Sequence, residues 1–334
     1  MIQFRSCLGS PFSILSVKVI VNSSRGIDGL LSTGMITQYK GSNNFYCFAH
    51  DNIKEAASSL VPENDNICLY MGIKLWTLLP AEELDCQIFT VADLLMSSNL
   101  SSEKDSLKLV KLFSRAGERA MSITAFEKAC HYFKAALGLL GVNCWENNYS
   151  MTLELYNNAA RSAFGMQIDS MLNEVKEVVL RNASSPADLV EIYSLIILRF
   201  GERTLFKDAI DTAMFILNKL GERIDHNVYD NASIALAIER VKKLFLSKSG
   251  EKIIDMKEMS ETYKPIMSIF THVFQASYSA FPNLFVYASI RMVEITLHDG
   301  LSKDSAVGEK SITCTSEYLA LNTCLLLKAL QILV

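Results

Sequence analysis

A chain of 334 residues is long enough for one large or two smaller domains with a sizeable core. Half of the residues are hydrophobic and a fifth are charged, which excludes disorder as the overall state. A formal net charge of -4, with Lys and Arg scattered, provides no basic field for a nucleic-acid backbone, so nucleic acid is not favoured as a partner.

The first 62 residues mix helix and strand signals. "GSPFSILSVKVIV" offers Ser10 as a helix N-cap with Pro11 at the first helical position, and "GIDGLLSTGMI" reads as a short helix. "MITQYKGSNNFYCFAH" reads as two strands around a Lys-Gly-Ser-Asn-Asn turn. Helix, helix, hairpin is the outline of a small winged-helix-like α+β unit over residues 1–62.

From residue 51 onward the apolar residues recur at helical spacing. Helices are predicted over 51–61, 64–79, 81–97, 102–121, 124–140, 146–163, 167–182, 186–200, 204–221, 229–247, 260–279 and 282–298. In the fourth of these the apolar face is expected to run through Leu107 and Val110, broadened by Leu112 and Phe113. Breaks fall at turn-forming stretches such as "LVPENDN", "SSNLSSE" and "NASSPAD", where Ser185 precedes Pro186 as a helix start.

Sliding the sequence against itself aligns "AFEKACHYFKAALGLLG" (125–141) with "LFKDAIDTAMFILNKLG" (205–221) at an offset of 80. The match pairs Phe126 with Phe206, Ala129 with Ala209, Leu137 with Leu217 and Gly141 with Gly221. "MQIDSMLNEVKEVVL" between them suits the same role, dividing the interval into two helical hairpins of roughly forty residues each. Small residues such as Ala129 and Ala136 allow close helix approach while Tyr132 and Phe133 fill gaps, as in a TPR-like α-solenoid whose hairpins complete their core by stacking. Residues 63–308 are assigned to this mainly α, TPR-like arm and 309–334 to a divergent helical C-terminal segment.

The chain holds no P-loop, G-x-G-x-x-G, nucleophile elbow, H-E-x-x-H or kinase catalytic-loop motif. None of the five histidines has a second His or Cys at metal-ligand spacing. The pair His50–Asp51 is therefore better read as a helix entry, with Asp51 as N-cap of "NIKEAASSL", than as a catalytic pair lacking a nucleophile. "HDG" at 298–300 reads as a helix end, with His298 in the last turn and Gly300 as the stop. No catalytic, cofactor or metal residue is assigned, and no cofactor is expected; the structural positions singled out are Asp51, Ala129, Tyr132, Phe133, Gly141, Ala209 and Gly221.

Eight cysteines (Cys7, Cys47, Cys68, Cys86, Cys130, Cys144, Cys314, Cys324) avoid C-x-x-C spacing and fit buried, reduced thiols of a cytoplasmic protein. The start lacks the pattern of a signal peptide, which leaves the five Asn-x-Ser sequons without weight. The apolar tail "YLALNTCLLLKALQILV" falls short of the ~20 apolar residues that a membrane span needs, so a membrane partner is not favoured.

The stretch "FYCFAHDNIKEAASSLVPEND" followed by "LYMGIKLW" resembles the end of the ATPase module in large STAND/AAA-like predicted ATPases fused to Ser/Thr kinase and multi-sensor histidine-kinase domains. "SRAGERAMSITAFEKACHYFKAALGLLG", "CWENNYSMTLELYNNAARSAF" and "FKDAIDTAMFILNKLG" are similar to the helical, TPR-like region that follows in those proteins, as is the segment 256–308. The nucleotide-binding core and the kinase domains of that family have no counterpart here, so no ATP-binding residue carries over. The resemblance implies a non-catalytic protein-interaction and regulatory scaffold whose partner is a protein, the matching ATPase or kinase module first among them. A DNA-binding winged-helix adaptor is the alternative, disfavoured by the few basic residues of the first 62 (Arg5, Lys18, Arg25, Lys40 and Lys54).

Overall fold

A computed structural model describes residues 12–21, 27–39, 45–59, 65–96, 106–224, 231–247 and 256–305. Among them are sixteen α-helices, one 3-10 turn and a small three-stranded antiparallel sheet, so the protein is mainly α. Packing divides the chain into two compact units, Met1–Ser162 and Ala163–Val334.

The first unit begins with β1 (Phe12–Ser13), α1 (Ile14–Val21), α2 (Ile27–Ser32), β2 (Ile36–Gln38) and β3 (Phe45–Phe48). The predicted hairpin is present, with Ile36 opposite Phe48 and Gln38 opposite Tyr46. Its expected turn, 40–44, lies outside the described residues, as do Ser10 and Pro11. The start of α1 differs from the expectation. Phe12 and Ser13 pair with Tyr46 and Phe45, making β3 the central strand, and the helix begins only at Ile14. Ser13 Oγ accepts the Ser16 N–H at 3.0 Å and takes the cap role. Fully buried Phe12 meets the rings of Tyr46 and Phe48, with centroids 6.5 and 5.7 Å away, which explains why an apolar residue two positions before the helix joins the sheet.

Beyond the sheet come α3 (Asp51–Ser59), α4 (Asp65–Leu78), α5 (Ala81–Cys86), α6 (Ile88–Met96), α7 (Ser106–Ser122), α8 (Phe126–Gly138), α9 (Cys144–Asn147) and α10 (Tyr149–Gly165), which runs into the second unit. The single helix expected over 81–97 is two, because Gln87 closes α5 with backbone bonds to Glu83 and Leu84 before α6 starts. The buried face of α7 is Leu109, Val110, Leu112, Phe113, Ala116 and Ala120; Leu107, expected on that face, is exposed.

The second unit contains α11 (Asp169–Asn182), a 3-10 turn (Pro186–Leu189), α12 (Val190–Glu202), α13 (Phe206–Lys219), α14 (Asn231–Ser247), α15 (Tyr263–Ala280) and α16 (Pro282–Asp299). Ser185 starts the turn before Pro186, as the sequence predicts, and Asp188 completes a capping box with it, although the first turn is 3-10 rather than α. Helix α16 ends at Gly300, at φ 121° and bonded to the Thr296 carbonyl, and a Cβ there would run into the Lys257 carbonyl. "HDG" is thus a helix end whose glycine makes a close backbone passage possible.

Among the described residues no helix is long and apolar enough to cross a membrane. The segment 309–334 lies outside the described residues, together with the apolar tail and Cys7, Cys314 and Cys324. The other cysteines are not joined in disulfides. Cys130 is buried as expected, whereas Cys86 is exposed and Cys47, Cys68 and Cys144 are half-buried.

Candidate functional site

Three helix pairs, α7/α8, α10/α11 and α12/α13, are joined by turns of one design. Thr124, Gln167 and Thr204 all sit at φ 58°, in the left-handed region. The N–H of each bonds three residues back, to Met121, Phe164 and Gly201, at 3.0 Å in every case. The next N–H bonds five residues back, from Ala125 to Ala120, Ile168 to Ala163 and Leu205 to Phe200, at 2.9 Å in every case. This is the Schellman closure of a helix C-terminus, achieved without glycine, and it re-aims the chain into the next helix after two residues. The turns recur at spacings of 43 and 37 residues, together the offset of 80 found in the sequence.

Buried positions recur in step with the turns. Leu112, Leu155 and Ile192 are equivalent on the leading helices, and Ala136, Val179 and Ile216 on the trailing ones; all six are buried. Ala129 and Ala209 share one position and are fully buried, as the sequence predicts. Gly141 and Gly221, paired in the sequence alignment, diverge. Gly221 is at φ 90° and closes α13 through a bond to the Asn218 carbonyl, whereas α8 stops earlier, at Gly138, with right-handed Leu139 as its cap and no positive φ at Gly141.

Tyr132 and Phe133, both fully buried, have separate tasks. Phe133 lies against Gly117 of α7, where a Cβ would come within 2.5–2.8 Å of the ring, so the absence of a side chain lets the pair of helices close. Tyr132 stacks on Phe89 of α6, with centroids 6.0 Å apart, and donates its hydroxyl to Asp93 Oδ1 at 2.6 Å. Lys128 Nζ reaches Asp93 Oδ2 at 3.1 Å and lies 4.8 Å from the Phe89 ring centre. Burial, then the hydrogen bond and negative charge of Asp93, push the Tyr132 hydroxyl far above the ordinary phenol range. Tyr132 is therefore a fixed donor and no proton acceptor at neutral pH.

These groups line a cleft of about 280 Å³ between α6 and α8, bounded by Asp93, Met96, Glu127, Lys128, His131 and Tyr132. Both Asp93 oxygens and the Lys128 ammonium are engaged within the protein, while Glu127 and His131 on the rim face solvent. The cleft offers polar contacts on a rigid floor. It has no nucleophile paired with a base, and among the described residues no three His, Cys, Asp or Glu side chains are arranged to hold a metal ion.

His50 and Asp51 stand exposed at the entry to α3. The first helical bonds, from Ile53 at 3.0 Å and Lys54 at 3.4 Å, go to the His50 carbonyl, and the Asn52 N–H reaches His50 Nδ1 at 3.3 Å. His50 is the N-cap, and Asp51, expected there, is the first helical residue. The histidine ring sits one position earlier and faces the same free N–H groups, while the Asp51 charge still favours the helix N-terminus.

Sequence reasoning missed two partly buried ion networks of the second unit. Arg199 lies over the Phe164 ring, donates to the Phe164 carbonyl and to Glu202, and sets Nε 3.2 Å from Asp169 Oδ1, an ionic contact without hydrogen-bond alignment. Arg203 also pairs with Asp169, so two arginines of α12 and its end grip the α10–α11 turn. Arg291 of α16 holds Glu222 in a fork, at 2.6 and 3.0 Å, and Glu294 at 2.7 Å, fixing the residue that follows Gly221. Each network contains a local Arg–Glu pair three residues apart, but the carboxylate that ties it to another element, Asp169 or Glu222, lies 30 or 69 residues away, which no local periodicity registers. Comparisons with protein-family models, with curated proteins and with solved structures return no match to this chain.

Proposed function

We propose that the protein is a non-catalytic helical scaffold for protein interaction and regulation, built as a TPR-like α-solenoid of helical hairpins behind a winged-helix-like unit. The observation that carries this reading is the triple recurrence of one turn at Thr124, Gln167 and Thr204, with buried residues kept in step. A turn repeated at near-constant spacing produces like-shaped hairpins, each with an apolar face that a neighbour must cover. Repeats of that kind are suited to presenting surface to a partner. The shallow, partly charged α6–α8 cleft supports the same use.

The resemblance to the arm of STAND/AAA-like signalling ATPases supplies the partner class, a cytoplasmic P-loop ATPase module whose nucleotide state the arm reads. Such coupling requires different contacts with the two nucleotide states. Calorimetric titration of the full chain with an ATPase module of that family, in ATP and in ADP, is expected to give a complex whose Kd differs about 5-fold or more between nucleotides. Absence of binding, or one Kd for both, overturns the proposal.

A further inference from the structure

We draw no further inference here: the strongest candidate, the exposed aromatic corner where α15 passes into α16 (Phe274, Tyr278, Phe281 and Phe285), is an unpartnered apolar face, and nothing in the structure shows what covers it.

Discussion

Replacing Thr124 or Thr204 by glycine should stabilise the protein, against the usual direction of a Thr→Gly change. Both threonines sit at φ 58°, where a Cβ crowds the following carbonyl at a cost of about 1–2 kcal/mol, and β-branching adds to the crowding. Each hydroxyl bonds only the preceding carbonyl, Ile123 at 2.7 Å and Arg203 at 2.6 Å, in exposed positions where water substitutes readily. Glycine relieves the strain but widens the unfolded ensemble, which takes back about 0.4–1 kcal/mol. The net expectation is about 0.5–1 kcal/mol of stabilisation per site. For units of this size that is about 1–4 °C in Tm. Because the two units need not unfold together, the assay is hydrogen exchange read peptide by peptide, with Thr124→Gly slowing exchange in α7 and α8 and Thr204→Gly slowing it in α12 and α13. Gln167→Gly should gain less, since glutamine is not branched at Cβ. Gly221→Ala, at φ 90°, should lose about 1 kcal/mol or more. Faster exchange in both Thr→Gly variants would refute the claim that these turns hold strain.

Arg199→Met removes the buried guanidinium and leaves the Phe164 carbonyl without that donor, while the half-buried Asp169 keeps Arg203; the cost should be about 1–3 kcal/mol, seen in urea denaturation of the second unit. Gly117→Ala drives a Cβ to within 2.5 Å of the buried Phe133 ring; about 1–3 kcal/mol of overpacking outweighs the gain of up to ~1 kcal/mol in helix propensity, and the added change Phe133→Leu should restore thermal stability. Tyr132→Phe removes one of the two donors to Asp93 and should cost about 1 kcal/mol in Tm-derived stability, leaving the α6–α8 packing intact by near-ultraviolet circular dichroism. His272 of α15 is held below its ordinary value of 6.5 by burial, which outweighs a hydrogen bond with Gln275 and the charge of Glu191 on α12. The unfolded chain then binds more protons below pH 6.5, so stability of the second unit falls as pH drops from there to the folded value, by at most about 1.4 kcal/mol per pH unit. His272→Gln should flatten that stretch of a stability-against-pH curve measured by urea titration.

Helix positions were legible because they rest on short-range physics. Apolar spacing of three and four residues marks a helix wherever one face is covered, and each of the twelve predicted segments overlaps the helix or helices found, with five of those helices running one or two residues past the predicted end; the short α9 (Cys144–Asn147) was not predicted as a separate helix. The misses have local causes too. Gln87 carries no glycine or proline that would announce the break between α5 and α6, and Phe12–Ser13 is too short a strand to alternate visibly. The exposed Leu107 shows the limit of periodicity, since a face is defined by what packs on it and not by the helix alone.

The turns explain why the internal repeat is faint in the sequence. A Schellman closure usually advertises itself by glycine at the left-handed position, and here that position holds Thr, Gln and Thr, so the repeating element carries no repeating residue. What stays visible is the helix after the turn, where Ala129 and Ala209 are held small by close packing; the middle copy has Leu172 instead and escapes an ungapped comparison. The floor of the cleft was half legible for a related reason. Tyr132 reads as a gap-filler from its neighbours, but its hydroxyl is fixed by Asp93, 39 residues away on another helix. A hydroxyl at a buried position must find an acceptor somewhere, so the sequence implies that a partner exists while leaving its identity to the tertiary fold.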